Sequence, residues 1–202
     1  MKSYPSIVYP PRSGAGYLHT FEKLDGSNLR FEWSKKKGWY KVGTRRRLLS
    51  EESPIFQPAL PIFNEALAEP CEKIIRDQRW QRAVVFCEYY GPESLAGRHK
   101  EGDDMALTVI DVAPYKKGIL APTDFLKLFG EFGPHYLGYL NWSPHFISQV
   151  HQGLVEDAGF EGIVGKASEG KHKLKMYKTK NQAWKDEVLR RFPREGQKLI
   201  NS

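Results

Sequence analysis

Short apolar runs with strand periodicity constrain this chain more than any other feature. They lie at Tyr17 to Lys23, Asn28 to Trp33, Trp39 to Val42, Ala83 to Tyr89, Ala106 to Val112, Gly162 to Lys166 and Lys173 to Lys178. Alternation over a few residues, bounded by Gly, Pro, Asn and Asp, predicts half-buried strands. Helical spacing appears at Ile62 to Trp80, Thr123 to Phe129 with Thr123 as N-cap, Ser143 to Ala158, and Asn181 to Phe192 ending before Pro193. Strands and helices do not alternate regularly, which favours an α+β fold of mainly antiparallel sheets flanked by helices over a doubly wound parallel one. Pro54, Pro58, Pro61 and Pro70 punctuate an excursion between two better-patterned halves. A chain of 202 residues supports one domain with a proper core. That domain is expected over residues 1–192, with residues 193–202 as a C-terminal tail.

Composition removes several classes. An apolar fraction of 40% with 27% charged residues is globular rather than disordered, and no apolar run approaches the roughly 18 residues of a membrane span. The N-terminus lacks the apolar core of about 7 to 15 residues of a signal peptide, so a cytoplasmic protein is expected. Cys71, in a polar segment, and Cys87, in an apolar run, form neither a disulfide framework nor a zinc pair, and Cys87 reads as a small buried hydrophobe. His19, His99, His135, His145, His151 and His172 are scattered singly, without metal-ligand spacing. The net charge of +7 is clustered at Lys35-Lys36-Lys37, Arg45-Arg46-Arg47 and between Lys171 and Lys180. A polyanionic partner and ordinary solvated turns explain these runs equally well.

The most informative segment is Glu22-Lys23-Leu24-Asp25-Gly26-Ser27-Asn28, in which an apolar strand runs into a lysine and then a polar turn. This predicts Lys23 at a strand end, facing a cleft. A lysine is nucleophilic only when deprotonated, and burial or nearby positive charge is expected to lower its pKa. Taken alone, the pattern is also that of a solvated hairpin turn. Gly26 is expected to permit the tight turn, and Asn28 to reach a phosphate or a nucleic-acid end, unless both serve the turn alone.

Further segments follow in order: Gly43-Thr44-Arg45, Phe86-Cys87-Glu88-Tyr89-Tyr90-Gly91, Leu107-Thr108-Val109-Ile110-Asp111-Val112, Glu161-Gly162-Ile163-Val164-Gly165-Lys166 and Tyr177-Lys178-Thr179-Lys180. From Glu22 to Lys180 this series resembles the covalent lysine nucleotidyltransferases: DNA ligases, RNA ligases and messenger-RNA capping enzymes. The resemblance implies a ligase-type, ATP-grasp-like core, with too little chain after Lys180 for an OB-fold. It implies Lys23 as the nucleophile that takes AMP from ATP. Glu22, Asp25, Gly26, Asn28, Arg45, Glu88, Glu161, Lys166, Lys178 and Lys180 are then the expected nucleotide-binding residues. Arg45, Lys178 and Lys180 suit neutralisation of the triphosphate, Glu88 the ribose hydroxyls and Lys166 the α-phosphate. Glu161 is expected to hold Mg2+ or Mn2+, directly or through water. Asp111 reads as a buried structural acid satisfied by backbone or lysine. Cys87 stands where the family has Gly, and Ala106 to Val112 contains no aromatic to stack on adenine. Lys173 and Lys175 share the spacing of Lys178 and Lys180; the second pair is preferred because it directly precedes the helix containing Trp184.

Within this superfamily, Lys-x-x-Gly-x-Asn is more typical of ATP-dependent RNA ligases than of DNA ligases. The resemblance therefore implies ATP as substrate and RNA ends as partner, in single strands, a nicked duplex or an RNA–DNA hybrid, with an accessory nucleic-acid-binding protein as a further expectation. A minimal DNA ligase acting on DNA ends is the alternative. A non-catalytic basic nucleic-acid-binding module is a third reading, disfavoured because Lys23, Glu88, Glu161 and the lysine pair are all present.

Overall fold

The computed structural model describes residues 3–45, 47–50, 53, 56–97, 104–170 and 173–201. Pro54, Arg46, His99, Lys171 and His172, named above, lie outside the described residues. Two four-stranded antiparallel sheets form the frame, with no closure into a barrel. The first has the order β6-β1-β7-β8, from Tyr136–Asn141, Tyr17–Lys23, Gly162–Ser168 and Leu174–Lys180. The second has the order β3-β2-β4-β5, from Gly38–Thr44, Gly26–Ser34, Arg82–Tyr90 and Ala106–Pro114.

Period two decides what each face does. In the second sheet, Leu29, Phe31 and Trp33 of β2 pair with Cys87, Val85 and Ala83 of β4. These residues pack with Phe63, Leu67, Cys71 and Ile75 beneath and with Phe125 and Phe129 of α3 (Pro122–Phe129). Phe31 stacks on Phe63 with ring centroids 3.6 Å apart. The intervening residues Asn28, Arg30, Glu88 and Asp111 therefore face the other way. In the first sheet, Leu18, Ile163 and Tyr177 pack with Trp142 and with Val150 of α4 (Pro144–His151). The opposite face carries Lys23, Val164, Lys166, Lys178 and Lys180, in register through Lys23↔Gly162↔Lys180 and Phe21↔Val164↔Lys178. The polar faces of the two sheets look at one another.

Local chemistry moves several expected boundaries. The helix expected from Ile62 to Trp80 is instead α1 (Phe56–Ile62), a π-helical turn (Phe63–Leu67) and α2 (Ala68–Asp77). Pro61 has no N–H to donate, and the wider π turn begins two residues later, at Phe63. Cys71 lies in α2 but turns inward, and burial pushes its thiol up to about 12. Burial also raises the thiol of Cys87 well above its ordinary range. Thr123 is not the N-cap of α3: Ala121 is, without a side-chain cap, and Pro122 occupies the first turn, where its missing N–H is harmless. Ser143 caps α4 by accepting from Phe146 N at 3.1 Å. That helix stops at His151, ahead of Gly153 in the left-handed region, rather than at Ala158. Asn181 caps α5 (Gln182–Arg191). The stretch read as a tail contains α6 (Gly196–Ile200), whose Ile200 is buried with Trp184, Val188 and Ala96. Among the described residues, no helix is long and apolar enough to cross a membrane.

Candidate active site

Between the facing polar surfaces lies a cavity of about 860 Å³, and every residue the sequence proposed for the site lines it. The centre is Glu161, just before β7. Its Oε2 accepts from Lys23 Nζ at 2.8 Å and its Oε1 pairs with Lys180 Nζ at 2.9 Å. Gly162, at φ +134°, lets the chain pass between the two lysine-bearing strands, because a Cβ there would meet the Thr179 carbonyl at 2.1 Å.

Lys23 departs from the sequence expectation. Burial does oppose its charge, but Glu161, Glu88 and Asp25 outweigh that effect, and its pKa is raised rather than lowered. It rests as an ammonium ion clamped by Glu161. The lowered amines are its neighbours. Burial, then Lys180 and Lys23, bring Lys178 down to about 8, with Glu161 opposing and Arg45 assisting. Lys180 is lowered chiefly by burial against the opposing pull of Glu161, and its Nζ lies 4.3 Å from the centroid of the buried Trp184 ring. The two lysine pairs differ in position: Lys178 and Lys180 are buried in the cavity wall. Lys175 is exposed, as is Lys173, which pairs with Glu169 at 2.9 Å.

The second sheet supplies the other wall. Burial drives the Glu88 carboxyl up to about 7, helped by Glu161 and Asp25 and opposed by Lys23 and the Asn28 amide. Asn28 is the cross-strand partner of Glu88, yet neither its Oδ1 nor its Nδ2 reaches hydrogen-bonding geometry with protein. Buried amide atoms without partners are costly, and here they face a cavity that a ligand can fill.

Other expected residues line the cavity with their polar groups already committed. Asp25 is buried, and its Oδ2 accepts from Ala96 N at 2.8 Å, tying the turn after Lys23 to the chain after β4. Gly26 is needed for close approach rather than for a left-handed turn, since a Cβ would lie 2.4 Å from Tyr89 O. Glu22 packs where a Cβ on Gly159 would touch its Cγ at 2.4 Å. Arg45 donates from Nε to Tyr4 O at 3.2 Å and from Nη2 to Ser6 Oγ, so it holds the N-terminal segment. Lys166 Nζ donates to Ile110 O at 2.7 Å and to Asp111 Oδ2 at 2.9 Å. Asp111, which also accepts from the Tyr4 hydroxyl, is thus a buried acid satisfied by a lysine and a tyrosine.

The N-terminal wall was missed by sequence reasoning. Tyr4, Ile7, Val8 and Tyr9 line the cavity because Val8 bridges Tyr177 in parallel and its carbonyl accepts from Lys178 N at 2.9 Å. Lys178 Nζ lies 5.3 Å from the Tyr9 ring centroid. No local signal in Ser3 to Tyr9 announces a pairing so distant in sequence. Among the described residues, no group of three or more His, Cys, Asp or Glu is arranged to hold a metal ion. A divalent ion would need phosphate oxygens to complete the donor set around Glu161.

No protein-family model and no curated protein matches the sequence. Solved structures do. The chain superposes on an RNA ligase of Naegleria gruberi with pyrophosphate at TM-score 0.68 and 16% identity, over 96% of this chain and 58% of that one. A variant of that ligase with ATP and Mn gives TM-score 0.63 and 16% identity, over 90% and 58%. An archaeal ATP-dependent RNA ligase gives TM-score 0.65 and 12% identity, over 92% and 50%. The chain has the fold shared by these RNA ligases. It spans a little over half the length of the Naegleria protein and half that of the archaeal one. At such low identity the RNA-ligase fold is what the likeness carries, and chemistry rests on the cavity.

Proposed function

We propose that this chain is the catalytic core of an ATP-dependent RNA ligase that works through AMP carried on Lys23. One observation carries the reading: the Lys23 amine sits at a strand end, sharing the Glu161 carboxylate with Lys180 and lining, with Lys178, a nucleotide-sized cavity. The ligases that share this fold have been captured with ATP, with AMP and with pyrophosphate, and the same nucleotide is proposed here.

In the first step, the Lys23 ammonium gives a proton to solvent, the freed Nζ attacks the α-phosphorus of ATP, and a second N–H proton follows to solvent as the phosphoramidate forms. A P–N bond forms, the bond from the α-phosphorus to the bridging oxygen breaks, and pyrophosphate leaves with its charge met by Lys178 and Lys180. Arg45 joins them if it releases Ser6. In the second step, a 5′-phosphate oxygen attacks the AMP phosphorus, the P–N bond breaks and Lys23 leaves as the ammonium ion, taking its two protons from solvent. In the third, a 3′-hydroxyl attacks the activated 5′-phosphorus, AMP leaves and the hydroxyl proton passes to solvent. Glu88 and the Asn28 amide beside it are the groups proposed to bind ribose hydroxyls. Mg2+ or Mn2+ held by Glu161 and the phosphates would supply neutralisation of oxygen charge. Glu161 engaged in that way would no longer stabilise the ammonium form of Lys23.

Incubation with α-labelled ATP and a divalent ion, followed by peptide mapping, tests the reading. Acid-labile AMP on Lys23 is expected. Lys23→Ala should retain the fold by circular dichroism and lose the adduct entirely; label persisting at the same peptide would remove Lys23 as nucleophile. A GMP adduct would point to capping chemistry. Offering 5′-phosphorylated RNA and DNA ends to the adenylylated protein then separates RNA ligase from minimal DNA ligase.

A further inference from the structure

The face of the first sheet that carries Lys23 also carries a row of aromatic rings that nucleotide chemistry leaves unused. Tyr17 and Tyr139 lie with centroids 5.5 Å apart, Tyr139 and His19 4.9 Å, His19 and Tyr136 5.9 Å, and Tyr136 and Phe21 5.2 Å. The inner end, Phe21, lines the cavity and lies 4.9 Å from Lys166 Nζ. The outer end is open to solvent, with Tyr17 and Tyr139 each 58% exposed. From Tyr17 to Lys23 is about 20 Å along one extended strand.

The row is built rather than incidental. His19 and Phe21, two residues apart, share a face of β1, whereas Tyr139 and Tyr136, three apart, would fall on opposite faces of a regular strand. A register shift between Thr20 and Phe21 absorbs the extra residue of β6, so that Tyr139 pairs with His19 and Tyr136 with Phe21. The His19 ring is fixed by a 2.9 Å contact between Nδ1 and the Tyr136 hydroxyl, and burial lowers its pKa, which favours the neutral ring. Exposed aromatic faces of this kind are sequence-tolerant platforms for unstacked bases.

We infer that this row binds the single-stranded segment of the polynucleotide next to the end being joined, with bases stacking on Tyr17 and Tyr139 and the strand continuing past Phe21 into the cavity. The choice of a nucleic acid over a protein partner rests on two features: the row is continuous with the nucleotide cavity, and the chain has a net charge of +7. The inference leans on the ligase reading only for which end is bound.

The test is fluorescence anisotropy with a 3′-labelled, 5′-phosphorylated RNA of about ten nucleotides, within the span that single-strand binders cover. The double variant Tyr17→Ala/Tyr139→Ala should bind at least about fivefold more weakly than the parent, in keeping with the stacking lost per base. Tyr17→Phe/Tyr139→Phe should bind like the parent, and all three proteins should give the same circular dichroism. AMP capture on Lys23, read separately, should be unchanged in both variants. Unchanged affinity in the alanine variant overturns the inference, and so does a change confined to self-association in sedimentation. If the parent takes no AMP but its RNA binding still depends on the tyrosines, the platform stands and the ligase reading falls. If AMP is captured and binding ignores the tyrosines, the platform falls alone.

Discussion

Glu88 is held where an ionised carboxylate is expensive. Burial is the main cause, reinforced by Glu161 and Asp25, and the carboxyl titrates at about 7 instead of 4.5. The raised value fixes the sign of a pH effect. Between those two values the folded protein keeps a proton that the unfolded chain has lost, so stability falls as pH rises through this window. Above it the full cost applies, at most about 3 kcal/mol, because cavity water screens part of the charge. Glu88→Gln should therefore be more stable than the parent near pH 8 and indistinguishable from it near pH 4, while binding nucleotide less well. Urea unfolding at both pH values measures this, and an equal difference at the two would contradict it. Lys23, Glu88, Glu161, Lys178 and Lys180, each singled out in a short motif of fixed order, line one cavity. The protonation state of Lys23 was not legible in the sequence. It depends on a carboxylate 138 positions away, and no local window contains that contact. The use of Gly26 was misread for a related reason, since what excludes a Cβ there is the carbonyl of Tyr89 on another strand.

At the scale of elements, the strands that carry the site were readable because each keeps a clean alternation. β6 was not, because Gly138 interrupts its pattern and the register shift breaks its period. α1 was hidden by Pro58 and Pro61, which read as breakers, and Pro61 lies inside the helix. The short α6 gave little periodicity, although it matters to the cavity: Ile200 is buried against α5, its carbonyl accepts from the Tyr9 hydroxyl at 3.4 Å, and Asn201 lines the wall. Ile200→Ala should lower stability by about 2–5 kcal/mol in chemical denaturation. A loss under about 0.5 kcal/mol, the range of ordinary surface substitutions, would mean that α6 is not part of the folded unit.

For the molecule as a whole, the decisive fact is that the cavity belongs to neither sheet. Lys23, Glu161, Lys178 and Lys180 come from the first, Asn28 and Glu88 from the second, and the N-terminal segment closes a third side. A nucleotide binding both walls should stabilise the chain as one unit. ATP at a hundred times its dissociation constant should add about 2.7 kcal/mol, and for a chain of this size raise the melting temperature by several degrees in a single calorimetric transition. Two transitions, only one of them responding to ATP, would show that the sheets unfold independently. The contact between Lys180 and the Trp184 ring has a use in such work. The indole sees a cation ion-paired with Glu161, so a phosphate arriving there would alter the electric field across the ring. The emission colour of this one tryptophan, isolated by subtracting the spectrum of Trp184→Phe, should then report phosphate arrival at the cavity, with no label on protein or ligand.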